Sequence, residues 1–582
     1  MLEWKALFTP FTSWTGELKD GKVLKADISA GITVALILIP QSMAYAQLAG
    51  LPPYYGLYAA FLPGIIAAIF GSSRQLATGP VAVVSLLTAS ALEPLASSNP
   101  ENYLTYAVVL ALFVGTFQLL LGLFRLGVLV NFLSRPVVVG FTNAAVLIIA
   151  TSQIDKIFGV SVAMTPHHYE TVWNTILAAL DHTHMPTFVM GMLALSLLFL
   201  VKKLLPKAPA ILIAVVSTTV LAWYFNFEGM GGAVVGSIPQ GLPEFKLPDT
   251  TWSEASTLIS SAITIALIGF MEAISIAKGM AATTKHKIDA NQELVGQGLS
   301  NIVSGLSQGY AVSGSFSRSA VNINSGALTG FSSLVAGVMV GITLLWLTPL
   351  LYHLPQATLA AVIIVAVINL VRLGPMIYAW KVQKNDGFVA TLTFFLTLFL
   401  APHLENGILI GVLMSLGLFL HRTMRPRIAT LARHADGSLR DADEFPLQTC
   451  PHISVMRFDM SLYFANTSYF EDAILNRAAT QPELRFIIID AGAINLIDAT
   501  GEEMLHNLNK ALKKHDVEFI FTRTKLQLMN VFRKTGFDVT IGKDHFVRTQ
   551  NQALQFAWDQ LDCAREDCQT GHCYLKAPPI TR

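Results

Sequence analysis

The chain has 582 residues, of which 53% are apolar and only 13% are charged, and its mean hydropathy is +0.53. Soluble proteins usually carry roughly 25% charged residues, so this composition excludes an ordinary soluble protein and indicates a polytopic membrane protein. The formal net charge of +1 gives no reason to expect nucleic acid as a partner.

Apolar stretches follow one another up to residue 425, and about fourteen of them approach the roughly 20 residues that a helix needs to cross a bilayer. Lysine and arginine cluster at alternate ends of these stretches, which predicts that those ends are cytoplasmic. An even number of spans then puts both termini inside, and the polar first 25 residues predict no cleavable signal peptide. We expect a multi-pass protein of the cell membrane, inner or plasma, with a cytoplasmic segment at 1–25 and a transmembrane domain at 26–425. The clusters are Lys19, Lys22 and Lys25; Lys202, Lys203 and Lys207; Lys285 and Lys287; Arg372, Lys381 and Lys384; and Arg422, Arg425 and Arg427.

The first span contains the polar motif PQSMAYA at 40–46. Gln41 and Tyr45 are four residues apart and therefore share one face of a helix. Polar side chains inside a membrane region by default mark the path of an ion or substrate. A packed tyrosine and an interhelical glutamine hydrogen bond are the structural alternative.

A second feature is the segment ATGPVAVVSLL at 77–87. Gly79 and Pro80 end an irregular approach and begin a helix, at a position where the missing N–H of proline costs nothing. The apolar run that follows is too short to span a membrane. It predicts a half helix that begins at membrane depth, and the alternative is an ordinary helix start at the membrane surface.

Glu272 stands in the long apolar run ITIALIGFMEAISIAKGMAA. A carboxyl group in apolar surroundings favours its neutral form and can exchange a proton near neutral pH, so Glu272 is a candidate proton carrier. A permanent ion pair with Arg318 or Lys278 is the structural alternative.

The segment GSFSRSAVN at 314–322 places Arg318 among serines, with no carboxylate within ten residues along the chain. The helical run that it starts continues only to about Gly326, which predicts a second half helix. The free N–H groups and positive dipole end of such a helix attract anions. If the two half helices point at each other, Arg318 adds a full positive charge whose partner is the substrate. The alternative is an arginine that extends to the membrane interface.

The composition changes after Pro426. Short strand-like runs (ISVMRFDMSLYF, FIIID, VEFIF) alternate with amphipathic helical runs, which predicts a cytoplasmic α/β domain at 440–562. A tail follows at 563–582. Its cysteines match no close metal-binding pair and lie in a reducing compartment, so we expect free thiols at Cys563, Cys568 and Cys573, although with His572 they could ligate a metal in principle.

Motifs of soluble enzymes are absent: the sequence contains no GxxxxGK[ST], HExxH or GxSxG. We therefore expect no enzyme activity, no cofactor and no resident metal.

The motifs PQSMAYAQLAGLPPYYGLY, GSSRQLATGPVAVVSLL, DANQELVGQGLSNIVSGL and SGSFSRSAVN closely resemble the sulfate permease (SulP) family. The resemblance extends over nearly all of residues 15–425, and the C-terminal part resembles the family's cytoplasmic STAS domain. It implies a polytopic α-helical membrane protein with fourteen transmembrane segments in two inverted seven-segment repeats, divided into core and gate. It also implies a homodimer within membrane lipid.

The resemblance places the family's anion site on residues from three segments and puts a carboxylate of the proton-coupled members at Glu272. It therefore favours proton coupling over simple exchange. The implied substrate-binding residues are Gln41, Tyr45, Val81, Ala82, Ser315, Phe316, Ser317 and Arg318.

The STAS resemblance rests on FIIIDAGAINLIDATGEEML, and soluble relatives carry a phosphorylated serine directly after the loop aspartate. Here Ala499 follows Asp498, and Thr500 comes one residue later. A phosphorylation switch is therefore in doubt, and docking of a cytoplasmic partner or bracing of a dimer is the expected role.

Two other classes compete with an anion transporter. A nucleobase permease of the same architecture is expected to carry a carboxylate at the second half-helix start, where this chain has Ser317 and Arg318. A membrane-tethered signalling protein would need neither interrupted helices nor Glu272.

Among anions, sulfate is favoured as the substrate, and bicarbonate or C4-dicarboxylate symport or exchange remains the alternative. Sodium coupling is less favoured, because Ile268, Gly269 and Ile276 add no acid near Glu272.

Overall fold

A computed structural model of the chain describes residues 10–96, 102–128, 133–163, 165–205, 208–368, 370–561 and 575. These residues form two compact units, residues 1–415 and 416–582. The three tail cysteines and His572 lie outside the described residues.

The first unit is built almost entirely of helices, the last of which continues past residue 415 to Met424. Its long helix α2 begins at Gly21, a turn before the predicted boundary at 26, because the Asp20 side chain accepts a hydrogen bond from the Lys22 backbone N–H (2.9 Å). The helices are α1 Thr12–Thr15, α2 Gly21–Leu48, α3 Tyr54–Phe70, α4 Ala82–Ala96, α5 Tyr103–Leu123, α6 Arg135–Thr151, α7 Ile154–Phe158, α8 His168–His182, α9 Met185–Leu204, α10 Ala210–Tyr224, α11 Trp252–Thr257, α12 Ile259–Thr284, α13 Ala290–Leu306, α14 Phe316–Asn324, α15 Phe331–Ile342, α16 Gln356–Ile368, α17 Leu373–Val382, α18 Lys384–Leu400 and α19 Leu404–Met424.

Eight helices among the described residues are long and apolar enough to cross a membrane, and three shorter ones are apolar. The chain is therefore a polytopic α-helical membrane protein, and the number of fourteen spans stays a prediction.

The helices of this unit form two packing groups. In one group α13 packs against α3 and α5, and α15 packs against α2 and α3. In the other group α6 packs against α18, and α9 packs against α10 and α16. These two groups correspond to the predicted core and gate.

Two short strands interrupt the helical unit, β1 Ala77–Gly79 and β2 Ser313–Ser315. They pair with each other in antiparallel orientation although they lie far apart in the sequence. A short helix follows each strand, so the two halves of the unit repeat one local pattern.

The second unit contains a six-stranded sheet in the order β4-β3-β5-β6-β7-β8. Strands β5 to β8 are parallel, while β3 pairs antiparallel with both β4 and β5. The sheet begins at Ile428, ahead of the predicted domain start at 440, because β3 is held by β5. The strands are β3 Ile428–Arg433, β4 Leu439–Asp441, β5 Ile453–Phe458, β6 Phe486–Asp490, β7 Glu518–Thr522 and β8 Phe546–Val547.

Helices cover both faces of this sheet, which explains why β6 is buried along its whole length. One core contains Phe458, Leu508 and Phe532, and the other contains Leu431, Ile488 and Leu554. The helices are α20 Thr467–Thr480, α21 Ala499–Lys513, α22 Leu526–Thr535, α23 Phe537–Ile541 and α24 Gln550–Gln560.

Candidate functional site

The paired strands bring the two predicted half helices together. Ala77 lies opposite Ser315, and Gly79 lies opposite Ser313. Helix α14 begins directly after β2, and α4 begins shortly after β1. Because the strands are antiparallel, the two helices leave opposite ends of the pair, with both N-termini beside it. Two helix N-termini, each with free N–H groups, therefore flank this strand pair.

Polar side chains from neighbouring helices hold the strand pair in place. The Ser319 hydroxyl of α14 accepts a hydrogen bond from the Ala77 backbone N–H (2.8 Å). The Ser313 hydroxyl donates to the Gly269 carbonyl of α12 (2.6 Å). The Asn301 side chain accepts from the Val312 N–H (2.8 Å) and donates to the Val312 carbonyl (3.0 Å). The contacts to Ala77 and Val312 satisfy backbone groups that a regular helix would have paired, which permits non-helical backbone in the buried interior of the unit.

Arg318 lies beside the strand pair and is fully buried (0% exposed). Its Nη1 donates to Gln41 Oε1 at 3.5 Å, the limit of a hydrogen bond. Its Nε and Nη2 are buried and have no hydrogen-bond partner among the described residues. A buried cation with donors left over is costly unless a negatively charged group satisfies them.

At Gly79 the first strand runs directly beside this guanidinium. A Cβ atom added at Gly79 would stand 3.4 Å from Arg318 Nη2 and 3.6 Å from Leu38 Cδ1. The space beside the free nitrogen is therefore bounded by main chain on that side.

Three other ionisable side chains interact electrostatically with Arg318, namely Tyr45, Tyr310 and Glu272. Tyr310 was not predicted from the sequence. It is fully buried and its hydroxyl lies 3.0 Å from the Ser85 hydroxyl of α4. Tyr310 thus links α4 to the surroundings of Arg318.

The structure places the predicted residues unequally around Arg318. Gln41 contacts it directly, and Tyr45 is buried within electrostatic reach. Ser315 caps α14 through the backbone N–H of Arg318 (3.4 Å), so its hydroxyl has a local partner. The remaining predicted residues divide by exposure: Val81 and Ala82 are buried at the start of α4, and Phe316 and Ser317 are exposed at the start of α14.

Glu272 does not form the ion pair that was the structural alternative. Within the described part of the chain, no cation lies within 4 Å of its carboxylate, and its buried Oε2 has no hydrogen-bond partner. Lys278, two turns of α12 away, is exposed. Glu272 instead interacts at longer range with Arg318 and with Arg372.

Sequence reasoning assigned Arg372 only to a cytoplasmic cluster of cations, and the structure places it near the site. Its guanidinium carbon stands 5.7 Å from the centre of the Phe316 ring. No local sequence motif predicts this contact, because Arg372 and Phe316 belong to different helix groups.

Two further observations concern metal binding and cavities. No group of three or more His, Cys, Asp or Glu side chains that could hold a metal ion is found among the described residues. A separate cavity of about 430 Å³ is lined by Glu93, Asp155, Lys156 and His168, and none of the predicted site residues lines it. Among the described residues, the groups at the strand pair are the two helix N-termini, the partly satisfied guanidinium of Arg318 and the unpaired carboxyl group of Glu272.

Comparison with known proteins gives two family matches. The model of the sulfate permease family matches residues 24–393, and the model of the STAS domain matches residues 444–553. The chain is 37% identical to "Sulfate transporter 4.1, chloroplastic" of Arabidopsis thaliana, over 95% of this chain and 83% of the relative. It is 33% identical to "Sulfate transporter 1.2" of the same plant, over 96% of this chain and 89% of the relative.

Solved structures share the fold at lower identity. The structure of SLC26A9 matches with a TM-score of 0.89 at 23% identity, covering 97% of this chain and 95% of that one. The transmembrane domain of a cyanobacterial bicarbonate transporter, BicA, matches with a TM-score of 0.57 at 22% identity, covering 68% of this chain and 97% of that one. At these identities, both similarities show a shared fold.

Proposed function

The chain belongs to the sulfate permease family, and we propose that it is a secondary active transporter of inorganic anions that carries sulfate together with protons by alternating access. The anion is held between the N-termini of α4 and α14 and by Arg318. Relatives named as sulfate transporters, at 37% and 33% identity over nearly the whole chain, support sulfate as the substrate.

One observation carries this proposal: Arg318 is completely buried at the start of a half helix with two nitrogen atoms that no described residue satisfies. An anion that accepts from these nitrogens and from helix N–H groups removes the cost of the buried charge. A nucleobase ligand would instead call for a carboxylate at this helix start, and the residues there are Phe316, Ser317 and Arg318. A membrane anchor for a signalling domain would gain nothing from the buried guanidinium.

Glu272 is the proton carrier in this proposal. Its carboxyl group lies on α12, which packs against β2, and its Oε2 is buried without a partner. A proton on Glu272 removes a negative charge from the neighbourhood of the bound anion, so proton and anion favour each other's binding. Loading both keeps the moving helices close to electrical neutrality, which lowers the cost of the conformational change in a membrane.

The second unit belongs to the proposal as a cytoplasmic STAS domain that braces a homodimer or docks a partner. Asp498, the loop aspartate, caps α21 by accepting from the Gly501 backbone N–H (2.8 Å) and also accepts from the Phe464 N–H (2.8 Å). This aspartate therefore has a structural task in the domain, in agreement with a role other than a phosphorylation switch.

The test is uptake by the purified full-length protein in liposomes, with labelled sulfate, bicarbonate and succinate, each with and without an inward proton gradient. We expect sulfate to accumulate and the proton gradient to raise its final level. Uptake of bicarbonate or succinate in place of sulfate would assign one of the alternative substrates. A final level of sulfate that is the same with and without the proton gradient would contradict proton symport.

A further inference from the structure

Arg372 is the residue directly before α17. The Asn143 side chain of α6 fixes the backbone of Arg372. Asn143 Oδ1 accepts from the Arg372 N–H (2.8 Å), and Asn143 Nδ2 donates to the Arg372 carbonyl (3.1 Å). Asn143 itself is buried. A side-chain amide that pairs with both groups of one residue sets the position of that residue as a neighbouring strand would. The starting point of the Arg372 side chain is therefore fixed by the gate group of helices.

From this anchor the side chain reaches the start of α14. The Arg372 guanidinium carbon stands 5.7 Å from the Phe316 ring centre, within the range of a cation–π contact. Phe316 is 53% exposed, so the contact lies at the edge of the site. A guanidinium that stacks on a ring keeps its in-plane N–H donors available for another group. Among the described residues, no carboxylate or carbonyl accepts from the Arg372 side chain.

The charge of a bound dianion is balanced only when this second arginine is counted with Arg318. Glu272 interacts with both Arg318 and Arg372. When Glu272 is ionised, the three groups sum to one positive charge. When Glu272 carries a proton, the sum is two positive charges, which matches a dianion such as sulfate. Arg318 alone would leave one negative charge of the dianion uncompensated.

The two arginines lie on different helix groups. Helix α14, which carries Arg318, packs on α2 and β1, whereas α17 packs on α18 and α6. A monovalent anion can be neutralised by Arg318 alone, but a dianion gains from both guanidinium groups.

We propose that Arg372 is a second binding group for the transported anion and that it makes the site prefer doubly charged oxyanions to singly charged ones. This inference rests on the proposed function, since it takes Arg318 to be the first binding group. Phe316 and Asn143 act as positioning residues for Arg372.

The experiment uses the full-length protein in phosphatidylcholine liposomes and measures the KM of labelled sulfate uptake, together with the inhibition constant of unlabelled nitrate, a monoanion. Arg372→Gln is expected to raise the KM for sulfate by about tenfold or more, as for loss of a hydrogen bond to a charged group. The inhibition constant of nitrate should change by less than about threefold, as for loss of an exposed charge. Arg372→Lys should recover part of the preference for sulfate because it keeps the charge but not the planar donors.

The matched control is Lys381→Gln, which removes an exposed cation from α17 and should leave both constants as in the wild type. Equal changes for sulfate and nitrate in Arg372→Gln, or no change in either, would overturn the inference. An effect of Arg372→Gln that appears only when one third of the lipid is phosphatidylglycerol would assign Arg372 to lipid contact and would also overturn it.

A second measurement covers the case in which the variant transports poorly. Sulfate should raise the unfolding temperature of the wild type in detergent more than nitrate does, and Arg372→Gln should abolish this difference. An undiminished difference would contradict the inference. A wild type that takes up no anion at all would instead count against the proposed function.

Discussion

Replacing Arg318 with methionine tests whether this side chain serves the anion or the fold. Methionine keeps most of the volume and removes the charge and the donors. The side chain of Arg318 makes one hydrogen bond at 3.5 Å, to Gln41, and leaves two buried nitrogens without a partner among the described residues. Its loss should therefore cost the anion-free protein less than about 1 kcal/mol, and relief of the buried charge could offset this.

The cost to anion binding should be much larger. Removing one member of a buried charged pair costs about 2–5 kcal/mol. This corresponds to an increase of about 30- to 5,000-fold in the dissociation constant of the anion. Arg318→Lys should keep a fraction of the affinity because it retains the sign of the charge but not the geometry of the donors.

The assay pairs sulfate uptake in liposomes with thermal unfolding in detergent, with and without sulfate. We expect Arg318→Met to unfold near the wild-type temperature without sulfate, to gain nothing from sulfate and to show no uptake. Lys278→Gln, which removes an exposed charge on α12, is the control and should behave as the wild type. Wild-type uptake by Arg318→Met would refute the assignment, and a large loss of stability without sulfate would show that the arginine supports the fold.

Three further outcomes follow from the same geometry. Glu272→Gln should still exchange labelled sulfate across the membrane but lose accumulation driven by a proton gradient; accumulation at the wild-type level would place the proton elsewhere. Gly79→Val should weaken sulfate binding by displacing the buried guanidinium, whereas Gly279→Val, where a Cβ meets nothing within 4 Å, should leave binding unchanged in the same uptake assay. Asp498→Ala removes a helix cap and should destabilise the second unit by about 0.5–2 kcal/mol in calorimetry of the full chain; Glu503→Ala on the exposed side of the same helix should not, and equal effects would argue against a capping role.

Local sequence signals predicted the half helices well. Pro80 and Gly79 marked the start of α4, and a serine three residues before Arg318 is the cap that the structure shows for α14. Helix capping and the position of a proline depend on residues within one helical turn, so a short sequence pattern can predict them. Strands β5, β6 and β7 and helices α21 and α22 were predicted for the same reason, since hydrophobic periodicity and composition are local properties of the chain.

The pairing of β1 with β2 was not predicted in register, because two strands of three residues carry no periodicity and their partners lie far apart in the chain. The strand β3 was missed because its place in the sheet depends on β5. Arg372 was interpreted only as one of the cations that mark a cytoplasmic loop. Nothing near Arg372 in the sequence predicts its contact with Phe316. Contacts of this kind arise when separate helix groups meet, which only the three-dimensional structure reveals.

The antiparallel strand pair also bears on how such proteins can diverge. The positions of both half-helix starts are held by main-chain pairing between β1 and β2, and main-chain groups are the same whatever side chain is present. Substitutions at Val81 or Ser317 can therefore change the side chains at the proposed anion site while the two helix starts keep their places. Under the proposed function, a lineage can therefore change its preferred anion through single mutations at such positions without losing the architecture that holds the two helices.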